Sequence, residues 1–208
     1  MKNYLTEALW TFFLVLVIGL VTVNTPEFAP LAIWSILMVM VYAWGHISGA
    51  HYNPAISVWF AFANKMSWNK AIGYIISQLI GAFLAAIVSY LLVGQALVIE
   101  PTATPRIALL AEIIFTFALV YVVLNTAATK ATEGNSFYGL AIGFTVMVGA
   151  FAVGGISGGA FNPAVAFGPE LWDAMQGWSS LWSLWIYVIW CFGGGILASL
   201  RYTMINKK

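Results

Sequence analysis

Two Asn-Pro-Ala triplets are the residues of this sequence best suited to chemistry. They are Asn53-Pro54-Ala55 and Asn162-Pro163-Ala164, and each follows a stretch that contains serine and glycine. Asparagine is a strong N-cap and proline suits the first helical position, so each triplet predicts the start of a helix. The side-chain amides of Asn53 and Asn162 can also donate hydrogen bonds to a passing neutral molecule, which would replace part of its hydration.

The composition identifies an integral membrane protein. Of the 208 residues, 62% are hydrophobic and 7% are charged, whereas soluble domains have roughly 45–50% and about 25%. A formal net charge of +1 excludes nucleic-acid binding on electrostatic grounds. The single cysteine, Cys191, excludes an intramolecular disulfide, and the two histidines leave little for a metal site. We therefore predict no metal and no cofactor.

Both predicted helices are too short to cross a membrane. Apolar residues continue over Pro54–Phe62 and Pro163–Leu171, and each stretch rises only ~14 Å as a helix, against a hydrocarbon core of ~30 Å. Each helix should enter the membrane and stop midway. If they start at the midplane from opposite sides, two positive dipole ends, each worth ~0.5 charge, lie together and repel cations. Irregular backbone at that depth favours a pore, since it is tolerated only inside protein or beside a wet cavity.

Six windows of about 20 apolar residues predict full membrane spans. The predicted spans are Tyr4–Val23, Leu31–Trp44, Lys70–Val93, Arg106–Thr126, Ser136–Gly154 and Ser179–Tyr202. No connection between them is long enough to separate two domains, so residues 1–208 form one predicted domain.

The two halves of the chain repeat each other. Gly45–Ala55 matches Gly154–Ala164, and Glu7 matches Glu112 near the start of each half. We place the repeats at about residues 1–95 and about residues 104–208. Because each repeat holds three full spans, an odd number, the second must lie upside down relative to the first. Inverted repeats whose broken helices meet at the midplane are a transport architecture.

The basic residues predict the orientation. If the amino terminus is cytoplasmic, all but one of the eight lysines and arginines fall on the cytoplasmic side, and the exception is Arg106. Both termini should then be cytoplasmic. Compact termini and a short third connection favour a multi-pass protein of a prokaryotic inner membrane.

These features together resemble the aquaporin, or major intrinsic protein, family. The resemblance rests on the two triplets, each in a loop of the form Ser-Gly-x-x-x-Asn-Pro-Ala, with Glu7 and Glu112 opening the halves. It covers nearly the whole chain, and Asn162–Pro169 is especially similar to plant tonoplast-type members. The resemblance implies an all-α membrane protein with six transmembrane helices, two re-entrant half-helices and an inverted repeat. It also implies a homotetramer, surrounded by lipid, with one pore in each subunit.

The resemblance also implies a selectivity filter. The family's constriction, carried over by its spacing from each triplet, falls on Ile33, Ala150, Gly159 and Val165. Most members have an arginine directly after the second triplet, where this chain has Val165. None of the four residues carries a charge or a ring, so we expect a constriction that is wider and less polar than a strict water filter. Without the arginine, the half-helix ends must do more to exclude cations.

Glu7 and Glu112 allow two interpretations. Ionisable groups inside a membrane are often functional, so these residues could couple proton or ion movement to solute transport in a secondary transporter. The resemblance instead implies that both carboxylates accept hydrogen bonds from the backbone of the re-entrant loops. We favour the second interpretation, which predicts a passive channel for water and small uncharged solutes such as urea, ammonia, hydrogen peroxide or small polyols. The spans contain no residue set for catalysis, so we do not expect an enzyme.

Overall fold

The structure is a computed structural model that describes residues 1–177 and 182–206, without the side chains of Trp190 and Asn206. Within these residues the chain forms eight α-helices and two short 3-10 turns, at Pro26–Phe28 and Lys130–Thr132. The α-helices are α1 (Lys2–Asn24), α2 (Ala29–Ser48), α3 (Pro54–Phe62), α4 (Trp68–Val93), α5 (Pro105–Ala127), α6 (Tyr138–Ser157), α7 (Pro163–Met175) and α8 (Leu184–Asn206).

Six of the helices in the described part of the chain are long and apolar enough to cross a membrane. They are α1, α2, α4, α5, α6 and α8. This arrangement confirms the predicted all-α fold with six transmembrane helices. The first half-helix, α3, has the predicted bounds. The predicted start of the sixth span, Ser179, lies outside the described residues, and α8 begins at Leu184 within them.

Three spans end three or four residues later than their apolar windows predict. α8 ends at Asn206 instead of Tyr202, and the other two are the spans that precede the half-helices. α2 and α6 continue past the predicted ends at Trp44 and Gly154. A membrane helix satisfies its backbone hydrogen bonds internally, so glycines within the last turn do not stop it. Each helix ends instead where Gly49 or Gly158 adopts a left-handed conformation, with φ of 93° and 86°, that a side chain would disfavour.

The second half-helix is longer than predicted. α7 has 13 residues and ends at Met175 instead of Leu171, so it rises ~20 Å. The prediction stopped where the apolar run stops, but the fold buries both Glu170 and Asp173 inside the protein. Packing against neighbouring helices therefore stabilises α7 beyond the last residue of the apolar run.

The two halves pack in equivalent ways. α1 contacts α2 and α4, and α5 contacts α6 and α8, while α2 and α6 meet in the middle. One offset of 109 residues relates the first residues of α2 and α6 (138 − 29) and of α3 and α7 (163 − 54). The residue ranges 29–62 and 138–171 are therefore in register throughout.

Glycines allow the closest helix contacts in each half. Gly81 of α4 lies against the backbone of Ala8, and Gly194 of α8 lies against the backbone of Ile113. A Cβ atom at either glycine would overlap the facing carbonyl oxygen. Small residues at such crossings let membrane helices approach closely, and here they bring α1 and α5 near the centre of the molecule.

Both described ends of the chain lie on one side of the bundle, which we call the terminal face. The loops after α3 and α5 share this face, because Lys65 Nζ donates a hydrogen bond to the carbonyl oxygen of Ala128 at 3.2 Å. The same ammonium group lies 5.8 Å above the ring of Tyr202 near the end of α8. The opposite side, which we call the far face, carries the connections after α1 and α4.

Candidate functional site

Asn53 and Asn162 begin the two half-helices. Asn53 Oδ1 accepts a hydrogen bond from Ala55 N at 2.8 Å, and Asn162 Oδ1 accepts one from Ala164 N at 3.0 Å. Both asparagines have extended backbone, and a proline follows each at the start of the helix. This is the geometry of an N-cap followed by proline at the first helical position.

The amide nitrogens of the same asparagines connect the two loops. Asn53 Nδ2 donates to the carbonyl oxygen of Phe161 at 2.9 Å, and Asn162 Nδ2 donates to that of Tyr52 at 2.8 Å. This exchange holds the positive ends of α3 and α7 together. Each amide nitrogen carries two hydrogens, so a second donor remains on each side. No local sequence pattern predicts the exchange, which depends on left-handed backbone at Tyr52 and Phe161.

Glu7 and Glu112 support the two loops from α1 and α5. Each buried carboxylate accepts the two backbone N–H groups that precede the asparagine of its half. The bonds are His51 N to Glu7 Oε1 (3.1 Å), Tyr52 N to Glu7 Oε2 (2.7 Å), Ala160 N to Glu112 Oε1 (3.1 Å) and Phe161 N to Glu112 Oε2 (2.8 Å). These N–H groups lie outside helices and away from water, so the carboxylates supply the acceptors that they need.

Two tyrosines complete the support of the two loops, and this role was not predicted from the sequence. Tyr74 of α4 donates to the carbonyl oxygen of Ser48, and Tyr187 of α8 donates to that of Ser157, both at 2.6 Å. They secure the last residues of α2 and α6, whose carbonyl groups lack a partner within the helix. Tyrosine in a membrane helix is usually an interfacial anchor, so its residue type alone did not indicate this role.

The first loop also joins a polar cluster. Gln78 Nε2 of α4 donates to Glu7 Oε2 at 2.8 Å and to Ser57 Oγ at 3.0 Å. His51 Nδ1 lies 3.0 Å from the same hydroxyl group. The side chain of His51 is buried and packs against two aromatic rings. The cluster therefore fixes the loop before α3 from three directions.

Two cavities approach the half-helix starts from opposite faces. The far-face cavity has a volume of about 310 Å³ and reaches Asn53 and Asn162. The terminal-face cavity has a volume of about 520 Å³ and extends to the loop after α5. Ala50 and Ile142 line both cavities, so these two residues lie at the boundary between the cavities, close to the start of α3.

All four residues of the implied filter line the far-face cavity. Ile33 lies on α2, Ala150 on α6, Gly159 in the loop before α7, and Val165 in the first turn of α7. The four residues therefore lie in the wall of one cavity, and none of the four carries a charge. Residues 97–100, in the connection after α4, line the same cavity. These residues were not predicted from the sequence as part of the cavity wall, because a loop without a motif carries no local signal.

A membrane bundle in which two half-helices meet between opposed cavities has a transport architecture. The chain belongs to the major intrinsic protein family, because the family model matches residues 1–202.

Comparisons with individual proteins agree with this assignment. Aquaporin NIP1-4 of Oryza sativa subsp. japonica is 34% identical over 217 residues, which cover 99% of this chain and 77% of the relative. Aquaporin-4 of Mus musculus is 34% identical over 176 residues, which cover 81% of this chain and 53% of the relative. The X-ray structure of the aquaglyceroporin from Plasmodium falciparum shares the fold, with a TM-score of 0.83 and 22% identity, covering 99% of this chain and 96% of that chain.

The family assignment confirms the resemblance and the prediction of a passive channel for water and small solutes. The particular similarity of the second triplet to tonoplast-type members stays a prediction. The alternative of a coupled secondary transporter finds no support in these comparisons.

Proposed function

We propose that this channel passes small uncharged solutes such as urea, ammonia, hydrogen peroxide and small polyols in addition to water. Its filter consists of Ile33, Ala150, Gly159 and Val165. The observation that carries this proposal is Val165, which lies in the cavity wall directly after the second triplet. An arginine at this position would place a long cationic side chain in the cavity. Valine leaves that space to the solute.

The remaining donors of Asn53 and Asn162 give the solute its hydrogen bonds at the centre of the path. A molecule that enters from the far-face cavity loses part of its hydration, and the two amides replace some of the lost bonds. The paired positive ends of α3 and α7 oppose the entry of cations at the same point. The four filter positions carry no charge, so the wall there discriminates between solutes through the cost of desolvation.

Replacing Val165 with arginine tests the filter. We expect Val165→Arg to reduce urea and glycerol flux much more than water flux, because a guanidinium group narrows the opening but leaves room for water. Stopped-flow light scattering on proteoliposomes measures both fluxes, as osmotic shrinkage and as re-swelling in urea or glycerol.

Val165→Met is the control for this experiment, since it adds length without charge or a planar donor group. Equal loss of water and solute flux in Val165→Arg, with an unchanged gel-filtration profile, would contradict the assignment of the filter.

We also propose that the chain assembles as a homotetramer in membrane lipid, with both termini cytoplasmic. Large apolar side chains cover the outside of the spans, including Leu5, Ile76, Leu110 and Phe151, and suit contact with lipid or with neighbouring subunits. No catalysis is part of the proposal. The prokaryotic inner membrane stays a prediction, and the two relatives described above come from a plant and a mouse.

A further inference from the structure

The inverted repeat gives every filter residue a counterpart at the equivalent position of the other half of the chain. The offset of 109 residues that relates α2 to α6 and α3 to α7 defines the pairs. The pairs are Ile33 with Ile142, Ala150 with Val41, Gly159 with Ala50, and Val165 with Ile56. We call Val41, Ala50, Ile56 and Ile142 the mirror ring.

The backbone supports this pairing. Ala50 and Gly159 both have left-handed backbone, with φ of 53° and 62°, and each follows a helix-ending glycine. The hydroxyl groups of Ser48 and Ser157 accept the backbone N–H groups of Ala50 and Gly159 at 3.1 Å and 3.2 Å. The two loops are therefore equivalent, and Ala50 carries its methyl group where Gly159 has none.

The mirror ring lies at the boundary between the two cavities. Ala50 and Ile142 line both cavities, Ile56 lines the far-face cavity, and Val41 lines the terminal-face cavity. All four side chains are buried, with exposed fractions from 2% for Val41 to 7% for Ala50. In the filter only Val165 is buried, and the other three residues are partly exposed. The mirror-ring side chains are therefore more closely surrounded by neighbouring atoms than those of the filter.

Side-chain size leads to the same conclusion. The mirror ring has the larger residue in three of the four pairs. These are Val41 against Ala150, Ala50 against Gly159, and Ile56 against Val165. The fourth pair, Ile33 and Ile142, is equal. Alanine has no side-chain rotamers, so the methyl group of Ala50 cannot turn away from the path.

We propose that the mirror ring, and not the filter after the second triplet, is the size-limiting constriction of this channel. This inference rests on the proposed function, since it concerns which neutral solutes pass. Four aliphatic side chains offer no hydrogen bond, so a solute pays for each polar group that it brings into the ring. The ring therefore favours small solutes with few polar groups, in the order ammonia, urea, glycerol.

Ile142→Ala and Ile33→Ala form a matched test, because they make the same change at equivalent positions of the two rings. We expect Ile142→Ala to raise urea and glycerol flux severalfold, with the larger relative gain for glycerol, and Ile33→Ala to raise both fluxes much less. Ile76→Ala, on the outward face of α4, serves as the control for handling and protein content. Stopped-flow re-swelling of proteoliposomes measures each flux.

Equal gains in the two variants, or a larger gain in Ile33→Ala, would overturn the proposal. If Ile142→Ala does not fold, Ile142→Val and Ile33→Val make the same comparison with one methyl group removed.

Failure of the proposed function gives a different result. A wild-type channel that passes water but excludes every neutral solute would contradict the proposed function. In that case the proposed constriction at the mirror ring is supported if Ile142→Ala admits urea and Ile33→Ala does not. It is contradicted if neither variant, or both variants, admit urea.

Discussion

The carboxylates of Glu7 and Glu112 lie inside membrane spans but bind the backbone of another segment. A broken helix leaves N–H groups without partners, and the hydrocarbon core contains no water to bind them. One carboxylate satisfies two of these groups in each loop. These hydrogen bonds account for the burial of the two ionisable side chains without a role in proton coupling.

Replacing Glu112 with glutamine should destabilise the second loop. Glutamine keeps one acceptor oxygen but presents an NH₂ group in place of the other, so the N–H of Ala160 or of Phe161 loses its acceptor. A buried donor left unsatisfied costs ~1–3 kcal/mol. We expect a lower midpoint of thermal unfolding in detergent and a lower water flux.

Glu27→Gln is the matched control, because Glu27 is exposed in the 3-10 turn after α1. Identical unfolding midpoints for Glu112→Gln and Glu27→Gln would show that the carboxylate at Glu112 is not needed by the loop.

At the scale of elements, α3 and α7 bring two positive helix ends to one point. Each end is worth ~0.5 charge, and the amide exchange between the two loops keeps the ends together. Lys65 and Lys130 line the terminal-face cavity, but in the absence of an arginine after the second triplet this pair of helix ends is the positive feature at the centre of the path. Cation exclusion should therefore depend on the residues that cap the half-helices.

Asn162→Asp should raise cation conductance. A carboxylate at the start of α7 offsets the positive helix end and attracts cations, and it removes the donor to the carbonyl oxygen of Tyr52. Current through planar bilayers, with sodium or potassium chloride on both sides, measures the effect. Asn24→Asp adds the same charge at the exposed end of α1 and should leave the current at the wild-type level. A current in Asn162→Asp no larger than that in Asn24→Asp would contradict this role of the half-helix ends.

Local signals predicted the elements well. The start of α3 follows from Asn53 and Pro54, and its end follows from the end of the apolar run, so both bounds were predicted correctly. The end of α7 was not, because tertiary packing buries Glu170 and Asp173, and no local pattern reports that. The amide exchange and the bonds of Tyr74 and Tyr187 join segments far apart in sequence, so only the folded chain reveals them.

At the scale of the molecule, the inverted repeat is nearly symmetric in backbone but not in side chains. The offset between the two triplets was visible in the sequence, and it relates the two halves of the path. Which counterparts meet at the boundary between the cavities became clear only from the fold. The side chains at equivalent positions of the two halves therefore differ in size, although the same backbone geometry builds both.

Charge is also distributed asymmetrically between the faces. Basic residues at helix ends and loops of the terminal face include Lys2, Lys65, Lys70, Lys130 and Arg201. The connections of the far face contain Glu27 and Glu100, and Arg106 lies at the start of α5 on this side. Since loops rich in lysine and arginine stay in the cytoplasm, the terminal face should be cytoplasmic.

Cysteine labelling in intact cells tests this orientation. Glu27→Cys places a thiol on the far face and Glu133→Cys places one on the terminal face, both at exposed positions. Neither change removes a lysine or arginine, so the charge bias that sets the orientation stays intact. Cys191 is fully buried and gives little background. A membrane-impermeant maleimide should label Glu27→Cys in intact cells and Glu133→Cys only after permeabilisation, whereas the opposite pattern would place the termini outside.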